Sequence, residues 1–415
     1  MMHPLVNPVR HYAWGSRTHI PAMCGGDYGD RPCAELWLGA HPGDPSRLAD
    51  GRSLDEAVAE DAKAMLGEQV DTAFGARLPY LLKLLAVAEP LSLQVHPTSE
   101  RARIGFAEQE AQGLARSAPE RSYQDPWHKP ELVFALTRFE GMAGFRATAK
   151  TAAILRGLRV PWLDLLADRI ENTLTPFQTL REVATELFAM DRDSLRSRLQ
   201  QLRAAATAAE ASAHRPPLRQ RPTVTPADHL EREQLRVYAA TVPLIDRYPD
   251  DPGVLVTLLL NHVVLAAGEA MFIDAGVMHS YTSGFAIEIM ASSDNVVRAG
   301  LTPKHVDRAE LLEITNFAPM PPPLWAPQPA GVDGGELFAP PVQEFELGIY
   351  RLEGGEQFIL TPAPRIVLCL DGAVEVVGSD ETISLRYGQS MFVEECSGTV
   401  RLGGCGRVAV GRTPT

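Results

Sequence analysis

Four side chains from three separate segments could together bind a divalent metal ion. Gln94 and His96 lie two residues apart in LSLQVHP, Glu131 follows in HKPELVF, and GVMHSY contributes His279 much later. Alternate residues of a strand share a face, so Gln94 and His96 should point the same way. Two imidazoles, a carboxylate and an amide oxygen suit Zn²⁺, and Mn²⁺, Fe²⁺ and Co²⁺ are also compatible with them.

Other polar side chains accompany these ligands on the same strands. Lys129 alternates with Glu131, and Tyr281 alternates with His279, while Glu288 faces away from the two isoleucines beside it in FAIEIM. Burying so many polar groups costs free energy unless a metal or a ligand satisfies them. The pattern therefore predicts a closed, polar interior, with three more charged residues following in the same stretch: Asp294, Arg298 and Lys304.

Strands and helices alternate along the chain in large blocks. Short apolar runs broken by proline and glycine predict strands at the start of the chain and again from residue 253. Between them, apolar residues at helical spacing predict an insertion of four or five helices, with a loop at 214–226, that packs against and orients the rest. The predicted units are a catalytic domain in two parts (1–149 and 251–318), the helical insertion (150–250), a stiff proline-rich connector (319–331) and a C-terminal β-domain (332–415).

The segment around His279 resembles the second cupin motif. Gly268, Gly276 and His279 have its spacing, although Asp274 stands where proline is usual. The C-terminal block has the short alternating runs of a β-sandwich or barrel, and no histidine follows His305, so we expect no metal there. The predicted fold is mainly β, with a cupin or jelly-roll catalytic domain, an all-α insertion and a second, cupin-like β-domain.

Composition restricts the environment and the partners. The 415 residues carry a formal net charge of −13, which argues against nucleic acid as a partner. Five cysteines without a CxxC pair fit free thiols in a reducing cytoplasm. We expect neither a signal peptide nor a membrane span, because the start has no apolar core and the apolar runs are short. The sequence leaves the oligomeric state open and is compatible with a monomer.

Several motifs in a fixed order resemble those of the type I phosphomannose isomerases of the cupin superfamily. They are RHYAWGS, AELWLGAHPGDPS, PLSLQVHP, DPWHKPELVFAL, GVMHSY and ASSDNVVRAGLTPK. The resemblance runs from about residue 8 to about residue 312. It implies an enzyme with one zinc ion per chain that interconverts mannose 6-phosphate and fructose 6-phosphate, with Gln94, His96, Glu131 and His279 as the metal ligands.

The same resemblance implies roles for residues around the metal. Trp14, Ser92, Tyr281, Asp294 and Lys304 would bind the small sugar phosphate. Isomerisation through a cis-enediol also needs a base and a cation to stabilise the oxyanion. The candidates for this catalytic group are Arg298 for the oxyanion and Glu288, Lys129 or His128 for the base.

Two other functions use part of this pattern. Another metal-dependent cupin enzyme, of the oxygenase type, would prefer iron and more histidine ligands. A non-catalytic bicupin that only binds a sugar phosphate would not need Arg298 and Glu288 together.

Overall fold

The computed structural model describes residues 1–213, 226–330, 335–354 and 358–414, and the loop predicted at 214–226 lies outside them except for its last residue. The helices are α1 (His19–Cys24), α2 (Leu54–Glu60), α3 (Ala62–Leu66), α4 (Glu68–Phe74), α5 (Ser99–Ala111), α6 (Thr148–Gly157), α7 (Pro161–Glu171), α8 (Pro176–Phe188), α9 (Arg192–Ala213), α10 (Pro226–Arg247), α11 (Gly253–Thr257) and α12 (Arg308–Ile314).

Two β-sheets form the body of the molecule, which confirms the mainly β fold with a helical insertion. The strands are β1 (Met2–Pro4), β2 (Val9–Arg10), β3 (Glu35–Leu38), β4 (Tyr80–Val87), β5 (Leu93–Val95), β6 (Glu131–Ala135), β7 (Phe139–Phe145), β8 (Leu260–Leu265), β9 (Ala270–Ile273), β10 (His279–Ala291), β11 (Val297–Gly300), β12 (Leu324–Trp325), β13 (Gln328–Pro329), β14 (Gly335–Phe338), β15 (Glu346–Glu353), β16 (Phe358–Leu360), β17 (Arg365–Val377), β18 (Thr382–Arg386), β19 (Ser390–Val393) and β20 (Val400–Arg412).

Strand β10 is the centre of the first sheet, which contains β2 to β12. Its second half lies between β4 and β6, and its first half pairs with β5 and β7. At the change of partners, Gly284 has a φ of 119°, and a Cβ there would lie 2.6 Å from the carbonyl oxygen of Arg138. Glycine is required here because any side chain would be strained and would clash with this backbone.

A β-bulge in β10 decides which side chains share a face. The register with β7 shifts between Tyr281 and Ser283, which inserts one extra residue. Because side chains alternate along a strand, this single residue exchanges the two faces of the strand beyond it. Glu288 therefore points to the same side as Tyr281, although the two are seven positions apart.

In the described residues of the helical insertion the chain forms five helices, α6 to α10, within the four or five expected. Pro161 and Pro176 occupy the first turns of α7 and α8, where a missing N–H costs nothing. The apolar faces of the helices share one core with the back of the first sheet, including Leu93 and Leu260. The insertion is therefore packed firmly against the strands that carry the site. No helix in the described parts of the chain is both long and apolar enough to cross a membrane.

The second sheet contains β1 and β13 to β20, and it receives its first strand from the other end of the chain. Met2 pairs with Val393 as β1 lies antiparallel to β19. The described residues of the C-terminal block predicted at 332–415 thus form mainly β-strands. Their sheet is completed by Met2–Pro4, which the boundary at 149 assigns to the catalytic domain, and by Gln328–Pro329 of the predicted connector. The other unit boundaries remain predictions.

The two sheets share a hydrophobic core. Ile287 and Ile289 of β10 belong to the same buried cluster as Phe345 and Ile366 of the C-terminal part. The Tyr80 hydroxyl lies 2.8 Å from the carbonyl oxygen of Gly411, across the same contact. The C-terminal β-domain is therefore part of the support for β10.

One local expectation was wrong in detail. The chain does not return as a strand at residue 253, because Gly253–Thr257 forms the short helix α11. Its first N–H bonds to the Asp251 carboxylate at 2.7 Å, and an apolar run this short cannot be assigned by periodicity alone. Within the predicted connector, Leu324–Trp325 pairs with β9 as an edge strand, a position where flanking prolines are tolerated.

Candidate active site

Three of the predicted metal ligands converge at one point inside the first sheet. His96 follows β5, Glu131 opens β6, and His279 opens β10. One ligand atom from each lies within 4.8 Å of the other two, and all three side chains are fully buried. The strand pairing produces this convergence, because β10 pairs with both β5 and β6.

Both histidines present the same ring nitrogen to this point. Nδ1 of His96 lies 2.8 Å from the carbonyl oxygen of Asn295, and Nδ1 of His279 lies 2.9 Å from that of Val277. A carbonyl only accepts, so each Nδ1 carries the proton and each Nε2 keeps its lone pair. Burial, with the nearby Lys129 ammonium, lowers the pKa of His96 to about 3. The neutral imidazole is the form that binds metals.

Gln94 completes the group of four ligands. It is directly opposite His279 in the strand register, and its side-chain amide lies 3.2 Å from Nε2 of that histidine. The oxygen and nitrogen of an amide exchange places when the group turns by half a circle, so the oxygen can face the same point. All four predicted ligands are therefore brought together.

Glu131 supplies the negative charge of the site. Its carboxylate accepts from the Tyr281 hydroxyl and, at 2.6 Å, from the Lys129 ammonium. Burial raises the pKa of Glu131, but the charge of the Lys129 ammonium outweighs it and helps to hold the pKa well below its usual range. An ionised carboxylate with two neutral imidazoles and an amide fits a zinc ion, so the donor set agrees with the predicted cofactor.

A cavity of about 510 Å³ lies beside this centre. Its volume is in the range of small-molecule sites. Nine residues that the sequence singled out line it: Trp14, Ser92, Gln94, Lys129, Tyr281, Glu288, Asp294, Arg298 and Lys304.

Lys83 of β4 was not predicted as a site residue, and it lies directly opposite Glu288 of β10 in the strand register. Their charged groups are 2.9 Å apart and buried. Burial lowers the pKa of Lys83, but Glu288 and Glu35 outweigh it, and the net pKa is raised. Burial also raises the pKa of Glu288, against the opposing effect of Lys83. A single lysine in the apolar strand YLLKLLAV was the available signal.

Glu35 and Trp37 of β3 also line the cavity and were not predicted as site residues. The indole Nε1 of Trp37 donates to Glu35 at 2.6 Å, and the Lys83 ammonium lies 5.3 Å from the indole ring centre. These contacts fix Lys83 from the side opposite Glu288.

Arg298 and Lys304 are the cations of the cavity that are open to a ligand. In the part of the chain that the structure describes, no hydrogen bond or ion pair is seen for either charged group. Burial lowers the pKa of Arg298, and burial together with Arg298 lowers that of Lys304. Unpaired, partly desolvated cations favour an anionic ligand.

His128 is the one candidate that the structure places elsewhere. Its Nε2 lies 2.7 Å from the Glu344 carboxylate of the C-terminal part, and the residue does not line the cavity. Asp294 lines the cavity but is half-exposed, with its backbone N–H donating to Asp125 at 2.9 Å. The structure therefore separates His128 from the other candidate bases, Glu288 and Lys129.

Comparison with known proteins gives a consistent result across the whole chain. Residues 2–148 match the family description "Phosphomannose isomerase type I, catalytic domain". A mannose-6-phosphate isomerase of Salmonella typhimurium is 36% identical over 417 residues, covering 98% of both chains, and one of Rattus norvegicus is 32% identical over 412 residues, covering 94% of this chain and 92% of the relative.

Solved structures agree with the sequence relatives. The crystal structure of the Salmonella typhimurium mannose 6-phosphate isomerase bound to fructose 6-phosphate and zinc has a TM-score of 0.84 and 34% identity, with 100% of both chains covered. The similarity thus includes the insertion and the C-terminal part as well as the residues around the metal centre. This chain belongs to the type I phosphomannose isomerase family.

Proposed function

We propose that this chain is a zinc-dependent isomerase that interconverts mannose 6-phosphate and fructose 6-phosphate. The observation that carries the proposal is the position of the four-ligand metal centre beside a cavity with two cations, Arg298 and Lys304, that have no partner among the described residues. A sugar phosphate has oxygens for the metal and a dianion for the cations. The Salmonella typhimurium relative, whose structure contains fructose 6-phosphate and zinc, supports the same substrate pair.

The reaction moves a proton between C1 and C2 of the open-chain sugar through a cis-enediol. Zinc held by Gln94, His96, Glu131 and His279 would supply Lewis acidity toward the sugar oxygens. The protein must add a base for the proton, a cation for the developing oxyanion and a pocket that excludes water.

We assign the base role to Glu288. Its carboxylate lines the cavity and is almost completely buried, and its raised pKa favours the uptake and return of a proton. Lys129 is less suited, because its ammonium is bonded to Glu131 and lies 3.2 Å from His96. Lys83 positions Glu288, and its ammonium partly neutralises the charge of the Glu288 carboxylate.

We assign the charge-stabilising role to Arg298, whose backbone pairs with Gln94 in the strand register. That pairing places the residue next to a metal ligand, where the enediolate oxygens would lie. A guanidinium offers a planar set of donors for two neighbouring oxygens. Lys304 and Ser92 then contact the phosphate, and Trp14, Tyr281 and Asp294 form walls of the cavity.

One coupled assay tests the proposed function. Formation of fructose 6-phosphate from mannose 6-phosphate should be readily measured, should stop when EDTA removes the metal, and should return on addition of zinc. Oxygen uptake without isomerisation would favour the oxygenase alternative. Tight binding of mannose 6-phosphate without turnover would favour the non-catalytic binding protein.

We also propose that the enzyme works in the cytoplasm as a monomer. The number and spacing of the cysteines support the first part. The second is supported by the cavity, because a single chain supplies both the metal ligands and the cations around it. Light scattering of the purified protein would test the monomer directly.

A further inference from the structure

The helical insertion contributes to the wall of the substrate cavity. Arg247, the last residue of α10, and Tyr248 both line it, together with residues of the strands that carry the metal ligands. The insertion therefore does more than pack against and orient the sheet, the role expected from sequence. Among the described residues of the insertion, Arg247 is the only cation that lines the cavity.

Arg247 is held at the cavity by a weak and exchangeable contact. Its guanidinium lies 2.7 Å from the carboxylate of Glu89, in the loop between β4 and β5, and its Nε donates to the Tyr248 hydroxyl at 3.2 Å. Both partners of the ion pair are more than 40% exposed, at 41% and 44%. Exposed ion pairs contribute little to stability, so an incoming anion can replace Glu89 at small cost.

The charges around the cavity indicate which part of a ligand Arg247 would meet. Lys83 and Lys129 already neutralise buried carboxylates. Thr302 and Pro303, which precede Lys304, line this cavity and a neighbouring one together with Arg247, so the two cations lie on adjoining walls. Two cations on adjoining walls fit a dianionic group of the ligand.

We propose that Arg247 is a specificity-determining residue that exchanges Glu89 for the phosphate group of the substrate. This inference rests on the proposed function and extends it, because it gives the insertion a part in substrate selection. A guanidinium binds phosphate through two parallel hydrogen bonds, which an ammonium cannot reproduce.

Three variants test the proposal: Arg247→Gln, Arg247→Lys and Glu89→Gln. Arg247→Gln should raise KM for mannose 6-phosphate about tenfold, as expected for one lost charge-assisted contact, with kcat within about twofold and zinc content unchanged. The KM of Arg247→Lys should lie between that of Arg247→Gln and that of the wild type. Glu89→Gln breaks the same ion pair but leaves Arg247 free, so KM should stay the same or fall.

The Glu89→Gln variant separates this role from a purely structural one. If Arg247 only ties the insertion to the sheet, Arg247→Gln and Glu89→Gln should raise KM equally, and that result would overturn the proposal. An unchanged KM in Arg247→Gln would overturn it as well.

Calorimetry can measure the binding of inorganic phosphate to the zinc-loaded proteins without any turnover of substrate. The affinity for phosphate should fall about tenfold in Arg247→Gln and should not fall in Glu89→Gln. Equal affinity in the wild type and these two variants would count against the proposal. A wild-type protein that binds phosphate but does not isomerise would refute the proposed function alone.

Discussion

His96 and His279 each bond one ring nitrogen to a backbone carbonyl, which leaves the other nitrogen for a metal. His279→Ala should therefore lose zinc and activity, because one of four ligands is missing from a buried centre. His96→Ala should behave in the same way. Gln94→Ala should lose less zinc, since a neutral amide is a weaker ligand than an imidazole or a carboxylate. Metal analysis of the purified variants checks this, and a full equivalent of zinc in His279→Ala would contradict the ligand assignment.

Arg298 should act mainly in the transition state, where charge builds on the enediolate oxygens. Removing such an interaction lowers kcat more than it raises KM. Arg298→Ala should lose on the order of a hundredfold in kcat, by analogy with lost oxyanion donors, and Arg298→Lys should restore little. Zinc content should remain normal in both. Steady-state kinetics would instead identify a phosphate anchor if kcat were unchanged and only KM rose.

The pH dependence of activity should report the ionisation of the Glu288 carboxylate. Its pKa is raised by burial, while Lys83 acts against this rise; Glu131 raises it further and Lys129 lowers it. As the base must be ionised, activity is lost when pH falls through this pKa. Lys83→Gln removes a cation that favours the carboxylate, so the pKa should rise and the acid limb of kcat/KM should move to higher pH. A limb that stays in place or moves to lower pH would exclude Glu288 as the titrating base.

At the level of elements, the sequence predicts the strands that carry the ligands but not how they meet. Alternation and motif order identified the segments around Gln94, Glu131 and His279, because each is short and bounded by proline or glycine. Lys83 could not be identified as a site residue, because its partner Glu288 is 205 positions away and only the β4–β10 register joins them. The Gly253–Thr257 helix was missed for a local reason, the ambiguity of a short apolar run.

A buried ion pair between Arg146 and Glu233 joins the helical insertion to the first sheet. Arg146, fully buried at the end of β7, donates to the carbonyl oxygen of Leu258 at 2.9 Å and to Glu233 of α10 at 2.7 Å. Glu233→Ala would leave this guanidinium without its counter-charge and should cost about 3 kcal/mol or more of unfolding free energy. Urea denaturation followed by far-UV circular dichroism measures the loss.

Asp246→Ala is the matched control on the same helix. This residue pairs with Arg203 at the surface, where both side chains are about half-exposed, so its removal should leave the unfolding midpoint within error. Equal losses in Glu233→Ala and Asp246→Ala would show that burial at the junction is not the cause.

At the scale of the whole molecule, the catalytic and C-terminal parts are joined by a common core and by exchange of β1. One buried contact in this core is the edge-to-face pair of Phe134 on β6 and Phe338 on β14, with ring centres 5.3 Å apart. Phe134 is three residues after the metal ligand Glu131 on the same strand. The metal centre should therefore depend on the packing of a domain that contributes none of its ligands.

Phe338→Ala should accordingly destabilise both β-domains in a single transition. Removing a fully buried phenylalanine leaves a cavity and costs about 3–5 kcal/mol. Ile359→Ala, on the exposed face of β16, is the control and should cost less than about 0.5 kcal/mol. Calorimetry of the zinc-loaded proteins, with zinc release followed by a chromogenic chelator, should show unfolding and metal loss moving together to lower temperature. Phe338→Ala could instead show a separate unfolding transition at lower temperature during which zinc stays bound. That result would mean that the C-terminal part folds independently and that the shared core does not support the metal centre.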